Sequence, residues 1–160
     1  MRHARLLLLT ATLVSVSAPA WADATVFLGT ATSPSNRTAR GFAVGAGLLI
    51  IGFEFEYGSI VEDLEERAPS LRTGMGNLLI QTPVPVLRLQ PYFTTGAGVY
   101  RESLGNISSE TNFGINNGGG VKISLIGPVR ARIDYRVFTL RGSPVDDVVQ
   151  RLYVGVNLKF

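Results

Sequence analysis

From Ile51 to Gly58 the chain reads IGFEFEYG, and its side chains sort by parity. Ile51, Phe53, Phe55 and Tyr57 fall on one face; Gly52, Glu54, Glu56 and Gly58 fall on the other. Successive side chains of a β-strand point to opposite faces, so this alternation predicts a strand with one apolar and one polar face. The last ten residues, RLYVGVNLKF, repeat the pattern with Leu152, Val154, Val156, Leu158 and Phe160. Following parity along the chain predicts eight strands, at about 24–30, 39–48, 51–58, 72–82, 87–100, 113–125, 129–140 and 151–160. Parity flips between Leu48 and Ile51, as a two-residue hairpin at Leu49-Ile50 requires. That turn is apolar, which nothing local accounts for. Pro91 belongs near a strand end or at a bulge, since it cannot donate to a ladder.

The connections alternate in length. Leu49-Ile50, PVPV (83–86) and IGP (126–128) are tight, whereas ATSPSNRT, VEDLEERAPSL, ESLGNISSETN and RGSPVDD are long and polar. Strands of about 9–12 residues are long for soluble sheets and suit tilted membrane-crossing strands. An even strand count with short turns at one end and long loops at the other is the pattern of outer-membrane barrels.

Which face is wet follows from the glycines. Gly41, Gly45, Gly47, Gly96, Gly98, Gly118 and Gly120 share parity with the charged residues. A water-facing surface has no need of glycine, which weakens strands. A narrow eight-stranded lumen does, because large inward side chains would not fit. The polar face is therefore read as the lumen and the apolar face as the outer wall. Phe42, Tyr57 and Phe113 near the long loops, with Phe53, Phe93 and Phe160 near the tight turns, then form two girdles at the membrane interfaces.

Met1 to Ala22 reads as a secretory signal peptide. Arg2, His3 and Arg5 precede an apolar run, Leu6 to Val16, and Ala20 and Ala22 offer an A-x-A cleavage site before Asp23. The apolar run falls short of the roughly 20 residues a helical membrane anchor needs. Residues 23–160 then make one domain. Arg2 and Arg5 leave with the leader, so 13 of the 15 basic residues remain against 12 acidic ones, a balance that does not suggest nucleic acid as a partner. The chain has no cysteine, and its one histidine is His3. The processed chain therefore has neither residue as nucleophile, base or metal ligand, and no disulfide.

LQPYFTTGAGVY, NNGGGVKISLIGPVRARIDYRVF and the terminal RLYVGVNLKF resemble the small eight-stranded outer-membrane barrels of OmpA and OmpX type. The resemblance spans essentially all of residues 23–160. It implies an all-β fold, an eight-stranded antiparallel up-and-down transmembrane β-barrel. It also implies outer-membrane lipid as surroundings, periplasmic chaperones and the barrel assembly machinery as partners in biogenesis, and Phe160 as part of the insertion signal. It does not set function, since one fold carries many.

By parity Glu54, Glu56, Arg88, Lys122, Arg130, Arg132, Asp134 and Arg136 form a lumen charge cluster, with Arg151 and Lys159 on the same face and some members at wet rims. The expectation is a plug of ion pairs, in a structural protein or one whose surface loops bind or adhere. The same residues could line a narrow anion-preferring pore. A soluble periplasmic ligand-binding barrel of lipocalin type is a third reading, and it needs the apolar face inside. No catalytic, metal or cofactor site is expected. Glu54 and Glu56 share a face as an acid–base pair could, but charge pairing with the basic face explains them, and barrel enzymes that use histidine are excluded. The sequons NRT and NIS carry little weight. The acidic run Glu62 to Glu66 reads as a solvated loop without calcium-loop spacing.

Overall fold

The computed structural model describes residues 20–33, 35–104 and 111–160. Nearly all of the expected leader, and Asn106 of the second sequon, lie outside these residues. Eight strands account for most of the chain: β1 (Ala20–Ala31), β2 (Arg37–Leu48), β3 (Ile51–Ile60), β4 (Ser70–Gln81), β5 (Leu89–Ser103), β6 (Thr111–Ile126), β7 (Val129–Leu140) and β8 (Val148–Lys159). Each pairs antiparallel with its chain neighbour, and β1 closes on β8, giving an up-and-down barrel. Past the last β8 residue, Phe160 and Ala22 exchange backbone hydrogen bonds of 2.8 and 3.4 Å, so the seam is stitched to the final residue. Closure leaves no strand edge, as a backbone surrounded by lipid demands.

The barrel is inside-out relative to a soluble one. Val26, Val44, Phe55, Val99 and Val154 are exposed on the outer wall, while Glu54, Glu56, Arg132, Asp134 and Arg136 are buried inside. The lipocalin arrangement, with its apolar face inward, is not the one adopted. Both aromatic girdles face outward, and Phe42 and Tyr57 lie ring to ring at 5.7 Å.

Every strand is found where parity places it, and the differences lie at the ends. β1 starts at Ala20 rather than Ala24, β2 and β4 start two residues early, and β8 begins at Val148 rather than Arg151. The added residues of β2, β4 and β8 are polar or lie beside loops, so alternation does not mark them, and those of β1 lie at the expected cleavage point. Pro91 is the third residue of β5 and points outward, and its carbonyl accepts a 3.3 Å hydrogen bond from the Thr82 amide.

One turn is displaced. PVPV does not reverse the chain. Val86 and Leu89 exchange backbone hydrogen bonds of 2.8 and 2.9 Å, so the reversal is Leu87-Arg88, both with positive φ. That is the backbone of the primed turns that match strand twist.

The outer wall gives the fold's first test. Phe55 sits mid-strand on the lipid-facing surface. Phe55→Arg is expected to cost about 2–4 kcal/mol in vesicle-refolded protein, the range for a cation at the midplane of such a wall. Denaturant titration in vesicles measures this, and an effect near zero would place the residue in water.

Candidate functional site: the filled lumen

The lumen is built in three storeys. At the turn end Asp23 binds two cations, accepting from Lys122 Nζ at 2.6 Å and Arg130 Nη2 at 3.1 Å. Gln90 accepts from Arg130 Nη1 at 2.9 Å, and Gln81 lies 3.4 Å from Lys122 Nζ. Trp21 lies beneath, with the Lys122 ammonium 4.8 Å from its ring centre. Its seat exists because two residues lack a Cβ: a methyl at Gly47 or Gly52 would come within 2.4 or 2.6 Å of the indole.

The middle storey holds three carboxylates and three guanidinium groups. Glu54 accepts from Arg132 Nη1 at 2.5 Å and from Arg136 Nη2 at 2.8 Å. Asp134 takes both arginines from the other side, at 3.1 and 2.9 Å. Glu56 bridges Arg136 at 3.0 Å and Arg151 at 2.5 Å. The Tyr92 hydroxyl accepts from Arg132 Nε at 2.7 Å and donates to Asp134. All six charged side chains are essentially inaccessible to solvent. An isolated buried charge would be prohibitively costly, and it is tolerated only when paired and hydrogen-bonded.

Rings flank three of the cations, Lys122, Arg132 and Arg151. Arg132 packs 4.8 Å from the Tyr92 ring and 5.7 Å from Tyr153. Arg151 lies within 5.2 Å of Tyr153, Phe27 and Phe138. Lys122 lies between Trp21 and Tyr92. The π faces supply negative potential where carboxylates do not reach. Phe27 stacks on Tyr153 at 4.1 Å, in space that a side chain at Gly41 would occupy.

The loop-side storey is apolar. Ala31, Ala39, Ile60, Leu71, Met75, Tyr100, Phe138, Leu140 and Val149 pack together as one buried cluster. Above it the loops are tied to the rim. Arg37 donates to the carbonyl of Pro69 and to that of Ser33, the latter at 3.3 Å. The Tyr100 hydroxyl donates to the Arg141 carbonyl at 2.6 Å, and Glu102 accepts from the Val145 amide at 3.1 Å. The acidic run closes into a turn, with Asp63 accepting from the amides of Glu65 and Glu66.

Of the eight residues assigned to the lumen cluster by parity, seven meet there: Glu54, Glu56, Lys122, Arg130, Arg132, Asp134 and Arg136. Arg88 does not. It stands exposed at the tip of the β4–β5 hairpin, because the reversal falls at Leu87-Arg88 and ends the parity of β5 at Leu89. Lys159 is exposed at the rim, and Arg151 is buried at the centre. Two members escaped the sequence reading. Asp23 and Trp21 share the odd parity of Thr25 and Phe27, and the outward Val26 and Leu28 could have revealed it. Trp21 also precedes the expected cleavage point, and β1 runs through that point. Glu54 and Glu56 are both buried and held by arginines. Among the described residues no three His, Cys, Asp or Glu side chains gather as a metal-holding group.

The outer wall has polar breaks; at one, Tyr135 Oη donates to Gln150 Oε1 at 2.8 Å. A groove of about 740 Å³ is lined by Phe53, Phe55, Leu78, Ala97 and Ile115. At its edge Thr95 Oγ1 donates to Asn117 Oδ1 at 2.8 Å, so the two outward polar groups satisfy each other.

No sequence profile of a known protein family matches the chain, and no curated protein matches it. Solved structures do. Neisserial surface protein A superposes with a TM-score of 0.71 at 16% identity, over 88% of this chain and 97% of that one. The N-terminal β-barrel domain of Pseudomonas aeruginosa OprF gives 0.66 at 14%, over 88% and 97%. The outer membrane enzyme PagL gives 0.55 at 13%, over 85% and 98%. At such identities the likeness establishes fold. The chain shares the closed eight-stranded architecture of transmembrane barrels, and the resemblance to the small OmpA- and OmpX-type barrels holds at that level.

The network makes a quantitative prediction. Glu54→Gln removes one partner from two buried arginines and is expected to cost about 3–5 kcal/mol. Arg88→Ala, at an exposed tip, should stay within about 0.5 kcal/mol. In a double-mutant cycle, Glu54→Gln with Arg132→Gln should cost less than the sum of the single changes. Strict additivity would show that the pair does not interact.

Proposed function

We propose that this protein is a bacterial outer-membrane barrel that acts through the surface formed by its four loops, as a structural or adhesive element, and not by moving solutes. The observation that carries this reading is the filled lumen: paired charges block its middle, and a separate apolar cluster blocks its loop side. A conduit needs a wet path, and an ion crossing here would have to part Glu54, Glu56 and Asp134 from their arginines. The leader, the apolar outer wall and the aromatic girdles support the membrane assignment. The terminal Phe160, an outward aromatic just past the end of β8, fits an insertion signal read by the barrel assembly machinery, with periplasmic chaperones delivering the chain. The absence of catalysis follows the same logic, since the paired acids are sealed away from substrate.

Two measurements test the reading. In outer-membrane fractions the protein should migrate differently before and after boiling on a gel, as a detergent-resistant barrel does. In planar bilayers the refolded barrel should give no stable conductance steps. Reproducible anion-selective steps would overturn the closed-lumen reading in favour of a pore. Recovery in the soluble periplasm with no boiling shift would overturn the membrane assignment. N-terminal sequencing of the exported chain is expected to begin at Asp23. A start at Trp21 would show instead that Ala18-Pro19-Ala20 is the cleavage site used and that the Trp21 seat stays filled.

A further inference from the structure

Turns that face water are normally polar. The three turns at one end of this barrel are not. Leu49 and Ile50 make the β2–β3 turn and are each 42% exposed. In the β4–β5 hairpin Val84 is 63%, Val86 61% and Leu87 90% exposed. Ile126, at 79%, leads into the Gly127-Pro128 turn.

The backbone shows that these side chains are not there for the turns' sake. Leu49 and Leu87 both sit at φ +52°, and Arg88 at +70°. Left-handed backbone disfavours residues with a Cβ, and Asn or Gly would relieve it. The β6–β7 turn uses that solution, with Gly127 at φ +53°. At the other two turns an apolar side chain is kept against backbone preference.

Charge points the same way. Among the described residues of these turns and the adjoining strand ends, the exposed charged side chains are Arg88 and Lys159, both cationic. The opposite end carries exposed charges of both signs, Glu62, Glu65, Glu66 and Asp147 with Arg40, Arg67, Arg72, Arg101 and Arg141, so what sets the turn end apart is that its described residues expose cations and no acidic side chain. The apolar turns are also continuous with the lipid-facing wall, through Leu48, Ile51, Leu89 and Leu125.

We propose that the turn end is a lipid-inserted tip: the three turns dip into the headgroup–acyl boundary of the phospholipid leaflet, with Arg88 and Lys159 at the lipid phosphates. Interfacial amphipathic helices combine apolar and cationic side chains in this way and settle about 5–10 Å into that boundary. The tip extends the hydrophobic height of the wall at one end only. The proposal rests on the membrane assignment above, and the test separates the two.

Single tryptophans report their depth by quenching. The protein is prepared with Trp21→Phe wherever the native tryptophan is retained, and a reporter is introduced as Val84→Trp or Leu87→Trp. Phe53→Trp marks the wall and Asp147→Trp the loops. Each is refolded into phosphatidylethanolamine–phosphatidylglycerol vesicles doped with acyl-brominated phosphatidylcholine, and folding is verified by the boiling shift. Val84 lacks the positive φ of Leu87 and serves if the Leu87 variant fails to fold. The tip reporters should be quenched by brominated lipid about as strongly as Phe53→Trp and be shielded from aqueous iodide, while Asp147→Trp shows the reverse. Arg88→Glu on the Val84→Trp background should weaken the lipid quenching. If Phe53→Trp is quenched but both tip reporters answer only to iodide, the tip stands in water as a surface for a periplasmic protein; the proposal falls and the membrane assignment survives. If Phe53→Trp is not quenched either, both fall.

Discussion

Everything in this molecule follows from the width of its lumen. Eight tilted strands enclose a space that side chains alone can fill, and lipid outside accepts no unpaired polar group. Each strand must therefore present a lipid-compatible face and a face that packs against seven others across a narrow gap. The inward face cannot be uniformly large. Hence the chain places Phe27 against Gly41 and, as long as Trp21 is retained, Trp21 against Gly47 and Gly52. Each large side chain crosses toward a bare backbone, and the glycines are the moulds of particular neighbours.

The same constraint explains why the centre is charged. Inward positions could all have been apolar, as the loop-side cluster around Leu71, Met75 and Phe138 demonstrates. Replacing buried ion pairs with packed apolar groups is often neutral or stabilising. What the charges add is specificity of register. Glu54 on β3 meets Arg132 and Arg136 on β7 across the lumen, and Glu56 meets Arg151 on β8. A one-residue slip of either strand would turn its charges toward lipid. The pairs thus penalise every misregistered closure heavily, even where their net contribution to the correct one is modest. The aromatic rings beside Arg132 and Arg151 serve the same end, since each of these two guanidinium groups has two kinds of partner to find.

Much of this was legible in the sequence because the period of a strand is two and both faces are under pressure. In β3 and β7 the alternation is almost unbroken, and there the facing of every charge was read correctly. Where one pressure relaxes, legibility fails. Val26-Phe27-Leu28 is apolar throughout, because the lumen accepts Phe27 wherever Gly41 and Tyr153 make it a slot. The strand thus lost its parity signal, and Asp23 and Trp21 were missed with it. Arg88 failed for a different reason. PVPV resembles a turn by composition, yet the reversal is a hydrogen-bonding event between Val86 and Leu89, set by the primed geometry of the two residues between. Which carboxylate meets which arginine was not legible either, because strand tilt and shear decide heights across the lumen and leave no trace in any one strand.

The Arg88 displacement and the apolar Leu49-Ile50 turn have one explanation. Both arise because this end of the barrel is built from residues that do not signal turns. Turn composition is a signal only when the turn meets water, where Gly, Asn and Asp satisfy backbone groups and tolerate left-handed φ. A turn at the lipid boundary is under a second requirement, apolar surface, and here that requirement prevails at two of the three turns even at φ +52°. The loop end shows the opposite resolution, with Asp63 folding its own loop by accepting from two backbone amides. The two ends are thus specialised by the solvent each meets. The lumen between them is packed with paired charges in its middle and with an apolar cluster on its loop side.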